Sequence, residues 1–263
     1  MKSELCIVAY VYGKYTHFIP LYIYSILRAY PDYWVKIFLP GINASNNFKL
    51  LNELKRRGFN RFEIIENFKI CKHADYKKHA RWLIPKNEFN EFKYVYVGDV
   101  DFIILPENPS ILDFHVAQMK KSGLCYSNVV RKNTKKLTGL HFFEVEPYYR
   151  EMDKIISDSV AKEIPSSVNV DVGGWNEKFL YSMVESAFGT PPTYKWLTRP
   201  HHGLHLGYFR IGGSCKRDGV KAWKERYPNN YDIFNDETYK YLQKNSLYDI
   251  SQVMSEVKIS MCH

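Results

Sequence analysis
Along the first quarter of the chain, strand-length apolar runs alternate with segments whose apolar residues recur at helical spacing. Leu5-Cys6-Ile7-Val8-Ala9-Tyr10, Trp34 to Leu39 and Arg61 to Ile65 are rich in β-branched and aromatic residues and read as strands. Between them, Phe18 to Ala29 and Phe48 to Arg57 carry the helical period. Pro31 stops the first helix, and Gly58 is placed as the C-terminal cap of the second. This alternation predicts an α/β fold with parallel strands covered by helices, in which ligands bind beyond the carboxyl ends of the strands. The loop from Tyr10 to Thr16, pivoting on Gly13, is therefore expected to line a ligand site. Further on, Asp75 to Leu83 reads as a polar helix, and Gly123 to Val130 and Leu137 to Val145 read as strands. Tyr148 to Ile156, a segment starting near Asn176, Asp236 to Lys244 and Asp249 to Val257 read as helices, and Lys162 to Asn169 as a loop near the site.

The stretch from Tyr94 to Leu105 organises the rest. Two apolar runs, Tyr94-Val95-Tyr96-Val97 and Phe102-Ile103-Ile104-Leu105, flank Gly98-Asp99-Val100-Asp101. In a regular strand residues i and i+2 share a face, so Asp99 and Asp101 could address one polar ligand together. Two carboxylates among apolar runs are costly to bury unpaired, and a hard divalent cation such as Mg²⁺ or Mn²⁺ would resolve that cost. By itself the Asp-x-Asp pattern also suits a plain turn.

Composition narrows the classes. The chain has 263 residues, 45% hydrophobic and 25% charged, an ordinary globular balance with room for a large core. Its 21 Tyr and 16 Phe suit base and sugar stacking as well as core filling. The net charge of +9 is scattered apart from one dense run, Arg131-Lys132-Asn133-Thr134-Lys135-Lys136, which suits a solvated loop, an anionic lipid or a donor phosphate. Five widely spaced cysteines form no Cys-x-x-Cys pair, which argues against zinc and redox motifs and for reduced thiols. No leader-like segment and no apolar stretch of ~20 residues is present, so a cytoplasmic protein is expected.

Two further clusters carry chemistry. In Asp171-Val172-Gly173-Gly174-Trp175-Asn176-Glu177-Lys178-Phe179-Leu180, Asn176 is a good helix cap, and Glu177 falls in a first turn where the helix dipole favours a carboxylate. In Arg199-Pro200-His201-His202-Gly203-Leu204-His205-Leu206-Gly207, three histidines fall within five residues. Imidazole is an acceptable Mn²⁺ ligand beside carboxylates, though a structural loop is an equally simple reading.

Together, Arg81, Leu83, Ile84 and Pro85 before the strand, the Asp99-x-Asp101 pair, Asn176-Glu177-x-x-Leu180 and His205-x-Gly207 resemble the GT-A fold nucleotide-sugar glycosyltransferases, particularly the retaining galactosyl- and glucosyltransferases of family 8 and family 6 type. Trp82 is an extra residue in the usual spacing. The resemblance covers roughly residues 5 to 210. It implies a mixed, mostly parallel sheet flanked by helices, with a catalytic domain over 1–215 (nucleotide half about 1–105, acceptor half about 106–215) and a helical extension over 216–263 packed on it. It implies a UDP-sugar donor site of Ala9, Tyr10, Tyr15, Arg81, Asp99, Val100 and Arg210, with Mn²⁺ or Mg²⁺ held by Asp99, Asp101 and His205, or His202 as the second choice. Glu177, and after it Asp171, would lie under the anomeric carbon, and Thr138 and His141 are candidate contacts to sugar hydroxyls. The acceptor would be a saccharide or a lipid-linked saccharide, the latter with peripheral contact at the inner membrane face, and the setting bacterial surface polysaccharide synthesis. A sugar-phosphate nucleotidyltransferase would share the core, but it wants a glycine-rich fingerprint where Tyr10 to Thr16 has one glycine. Nucleic-acid binding would use the charge and the aromatics but leave the acidic pair unexplained, and no nucleic-acid partner is expected.

Overall fold
The computed structural model describes residues 4–41, 47–70, 77–161, 175–193, 202–209, 216–227 and 232–262. In chain order its elements are β1 (Leu5–Tyr10), α1 (Ile19–Ala29), β2 (Trp34–Phe38), α2 (Phe48–Arg56), β3 (Phe62–Ile65), α3 (Lys77–Ala80), β4 (Tyr94–Val97), β5 (Phe102–Ile103), α4 (Ile111–Ser122), β6 (Tyr126–Ser127), β7 (His141–Glu144), α5 (Val145–Ala161), α6 (Trp175–Phe188), β8 (Leu204–His205), α7 (Lys216–Arg226), α8 (Glu237–Asn245) and α9 (Tyr248–Cys262). The main sheet runs β3-β2-β1-β4-β7-β6. Its first four strands are parallel, and β7 lies antiparallel between β4 and β6.

Burial on both faces explains why the strands read as unbroken apolar runs rather than alternating ones. Leu5, Ile7 and Ala9 of β1 join one buried cluster with α1, α2, α8 and α9, while Cys6 and Val8 join a second with α5 and α6. Tyr94 and Tyr96 of β4 likewise face the first cluster, and Val95 and Val97 the second. Helices α8 and α9 feed the first cluster: Tyr239 and Leu242 of α8 and Ile250, Met254, Val257 and Met261 of α9 are buried there at helical spacing. No helix among the described residues is long and apolar enough to cross a membrane.

Several elements differ from the sequence reading. Gly13–Phe18 winds as a 3-10 turn running into α1, rather than a loop. Of the helix expected over Asp75 to Leu83, α3 covers four residues, and residues 71–76 lie outside the described ones. Helix α4 was not anticipated. Ser110 caps it by accepting from the Asp113 amide at 3.1 Å, and Gly123, at φ 70°, closes it in the left-handed region. The run from Phe102 to Leu105 pairs for two residues only, because the Ile104 amide donates to Ser25 Oγ (3.0 Å) instead of to a strand. The apolar runs around the acidic pair therefore enter different sheets: β4 the large one, and β5 a two-stranded one with β8.

Candidate active site
Strand β4 ends at Val97, and the Gly98 amide still donates to Val8 O of β1 at 2.9 Å. Beyond that bond the chain leaves the sheet, so Asp99 and Asp101 stand at the carboxyl ends of two adjacent parallel strands, where ligands of such sheets bind. A cleft of about 500 Å³ opens there. The end of β1 and the segment that follows it supply Tyr10, Val11, Tyr12 and Tyr15, and the Gly98–Asp101 turn supplies Gly98, Asp99, Val100 and Asp101. Arg81, Asn176 and His205 complete it. The cleft thus gathers Tyr10, Tyr15, Arg81, Asp99, Val100, Asp101 and His205 of the expected site residues. Ala9 is not among them; at 1% exposure it is packed inside the sheet. Asp171 and Arg210 lie outside the described residues.

The two aspartates diverge, because the turn that carries them is not a strand. Asp99, with its side chain 43% exposed, accepts from Arg81 Nη1 at 2.5 Å. Asp101, 6% exposed, faces His205, whose Nε2 lies 3.3 Å from its Oδ2. Long-range pairing holds that contact. β8 runs antiparallel to β5 with His205 opposite Phe102, the two rings stack at 4.6 Å, and the Leu206 amide donates to Asp101 O at 2.8 Å. Arg81 is buried, with its guanidinium over the Trp82 ring at 4.3 Å, and Trp82 Nε1 donates to Asn176 O (3.1 Å) in the first turn of α6. The extra tryptophan thereby ties the arginine to the helix that carries Glu177.

Glu177 is paired with Arg131, the first residue of the basic run. That run is a tight hairpin: the Arg131 amide donates to Lys136 O (2.8 Å) and the Thr134 amide to Arg131 O (3.1 Å). Lys132 and Lys135 are exposed at its tip while Arg131 turns inward to the carboxylate. Gly139 brings the two halves together. A Cβ there would lie 3.3 Å from both Arg81 Nη2 and Asp99 Oδ2 and 3.6 Å from Glu177 Oε1.

Other expected residues sit elsewhere. Thr138 and His141 are 0% and 1% exposed and belong to the interior. Thr138 Oγ1 bonds to Asn128 Oδ1 (2.7 Å), and His141 bonds through its two ring nitrogens to Asn128 and to the Tyr148 hydroxyl, 3.1 Å each. Burial pushes the His141 imidazole down to about 3, so it stays neutral and structural. His202 is not brought to the acidic pair. It is buried, with Nδ1 on Glu107 Oε2 (2.8 Å) and Nε2 on His115 Nε2 (3.0 Å). The sequence reading passed over Arg131 as Glu177's partner, and over Glu107.

The donor set of Asp101 and His205, with Asp99 paired to Arg81 in the same cleft, is of the oxygen and nitrogen type that suits Mn²⁺ or Mg²⁺. Among the described residues no three such ligands are already gathered at one point. The pair would need Asp99 to leave Arg81, or an oxygen from a ligand, to complete a site.

No family model and no curated protein matches the chain. Solved structures do. The bifunctional glycosyltransferase WbbM is similar at 11% identity and a TM-score of 0.51, over 98% of this chain and 52% of that one, so this chain spans about half its length. The galactosyltransferase LgtC, solved with donor and acceptor sugar analogues, aligns at 13% identity over 68% of this chain and 70% of its own, with a TM-score of 0.47. A mannosyltransferase from Pyrobaculum calidifontis, solved with GDP-Man and Mn²⁺, aligns at 8% identity over 98% of this chain and 74% of its own, with a TM-score of 0.48. At such identities the likeness speaks to fold, and the mixed, mostly parallel sheet between helices is the GT-A fold.

Proposed function
We propose that this protein is a metal-dependent glycosyltransferase that moves a hexose from a UDP-sugar to a hydroxyl of a saccharide or lipid-linked acceptor, with retention, in bacterial surface polysaccharide synthesis. The observation that carries the reading is the meeting of Asp101 with His205 and of Asp99 with Arg81 at the mouth of one cleft beyond the strand ends.

The tyrosines of the loop after β1 offer aromatic faces to the base and ribose. Arg81, released from Asp99, has its fork of donors for the diphosphate. Asp101 and His205, joined by Asp99, would hold Mn²⁺ or Mg²⁺, which when bound supplies Lewis-acid stabilisation of the leaving diphosphate. Glu177 lies by Gly139, as Asp99 does, suited to face positive charge developing at the anomeric carbon, and Arg131 holds its carboxylate in place. The departing phosphate can take the acceptor's proton in a retaining transfer, so no protein base is assigned.

The test is calorimetric titration of UDP, with GDP as comparator, with and without Mn²⁺, on the wild type and on Asp101→Ala. Metal-dependent UDP binding that disappears in the variant is the expected result. Preference for GDP overturns the UDP assignment, and binding of neither nucleotide overturns the transferase reading.

A further inference from the structure
Six residues beyond Asp101, Glu107 is nearly buried, its side chain 10% exposed, and its two oxygens collect four donors. Oε1 receives the Tyr227 hydroxyl and, at 3.4 Å, the Gly203 amide. Oε2 receives His202 Nδ1 at 2.8 Å and Arg226 Nη2 at 3.0 Å. The Gly203 amide also donates to Tyr227 Oη at 2.7 Å. Behind His202 the chain of bonds continues through His115 to Ser127 Oγ (2.8 Å). Burial alone would raise the Glu107 carboxyl, but the hydrogen bonds from His202 and Tyr227 and the charge of Arg226 outweigh it and hold the group below its ordinary value. One assignment of neutral rings satisfies every bond: His202 donates to Glu107, His115 donates to His202, and Ser127 donates to His115.

All of this converges on Gly203, two residues before His205. The strand that presents His205 is only two residues long, and so short a ladder is marginal by itself. Its far end is pinned by the Leu206 amide on Asp101 O. Its near end is pinned at Gly203 by Glu107 and Tyr227, the latter from the end of α7. We propose that Glu107 and Tyr227 are positioning residues: they lock the 202–206 segment against β5 and so set the His205 ring at Asp101. The inference rests on the reading of Asp101 and His205 as metal-binding groups. It adds a role for α7, which nothing in the cleft itself assigns.

Glu107→Ala would strand the His202 and Tyr227 donors in the interior and is expected to fold poorly. Tyr227→Phe keeps the ring and removes one hydroxyl, and carries the test. The measurement is the Mn²⁺ dependence of UDP binding by calorimetry, well below the melting temperature. Arg57→Ala serves as control: Arg57 lies over the Tyr241 ring at 4.9 Å on α8, so its loss lowers stability without touching the segment. The expected result is an Mn²⁺ affinity about tenfold weaker in Tyr227→Phe, restored to full UDP binding at raised Mn²⁺, and unchanged in Arg57→Ala. A Tyr227→Phe protein with wild-type Mn²⁺ affinity overturns the inference alone, even if its melting temperature falls. A wild type that binds UDP without regard to Mn²⁺, or not at all, overturns the metal reading and this inference together.

Discussion
Two carboxylate–histidine pairs lie close together in the chain and in the fold, yet they differ in what they leave to the solvent. Asp101 and His205 meet at 3.3 Å with the imidazole one-third exposed to the cleft. Glu107 and His202 meet at 2.8 Å with the imidazole fully buried and each of its nitrogens bonded to a buried partner. The side-chain chemistry is the same and His202 is three positions from His205, so residue type alone does not separate them. The difference is saturation. A pair whose every lone pair and proton is used inside the protein is a structural joint, whereas one turned to a polar cleft can take a ligand.

The largest effect expected is at the glycine between the pairs. Gly203 has φ 77°, and a Cβ there would sit 2.1 Å from Ile103 O and 2.9 Å from Ile104 Cα. Both obstacles are backbone, so neither side can yield cheaply. Gly203→Ala should therefore cost roughly 3 kcal/mol or more, through overlap and left-handed strain together. Urea unfolding measures the loss, and UDP titration with Mn²⁺ should show the cleft pair failing as the buried joint is forced apart. A variant of wild-type stability would mean the segment does not dock on β5 as described.

What the sequence could and could not reveal follows the same division. Local signals predicted the β1, β2 and β3 strands and the α1 and α2 helices to within a residue or two, since period, Pro31 and Gly58 act within a few residues. The cleft residues Arg81, Asp99, Asp101 and His205 were identified by resemblance to a family pattern. The face argument for the aspartates did not hold, because Gly98 to Asp101 is a turn in which Asp99 goes to Arg81 and Asp101 to His205. Glu107 carried no local signal, because its partners stand 95 to 120 positions away. Arg131 read as one charge among four, since only the hairpin turn separates it from the exposed lysines. Helix α4 had legible ends in Ser110 and Gly123, but its interior pattern is weak because it buries histidine and glutamine beside its apolar residues.

A second prediction sharpens the contrast by acid. Burial lowers His141 to about 3 and lowers His115 well below its ordinary 6.5. Both groups bind protons more weakly when folded than unfolded. Stability is therefore fully present above about pH 6.5 and is lost as pH falls below it, by at most about 1.4 kcal/mol per pH unit for each histidine. Glu107, also lowered when folded, adds to the loss below its unfolded value of 4.5. Unfolding titrations between pH 7 and 4 should show this slope, and His141→Gln should flatten it. A stability independent of pH over that range would mean these rings are not buried neutral.

The smallest expected effect on stability is at Gly139, and it tests the cleft side. A Cβ there meets Arg81 Nη2 and Asp99 Oδ2 at 3.3 Å and Glu177 Oε1 at 3.6 Å. Those atoms are the far ends of side chains, and no positive φ is required, so Gly139→Ala should change the unfolding free energy by less than about 1 kcal/mol. The same methyl stands between the arginine that the proposed reading gives to the diphosphate and the carboxylate that it gives to the sugar. A few tenths of an ångström of displacement there is small for packing and large for a hydrogen-bonded site. Transfer activity and UDP affinity should therefore fall by about tenfold or more while the urea midpoint scarcely moves. If binding and activity are untouched as well, Glu177 and Asp99 do not act across Gly139, and the catalytic assignment of Glu177 loses its geometric basis.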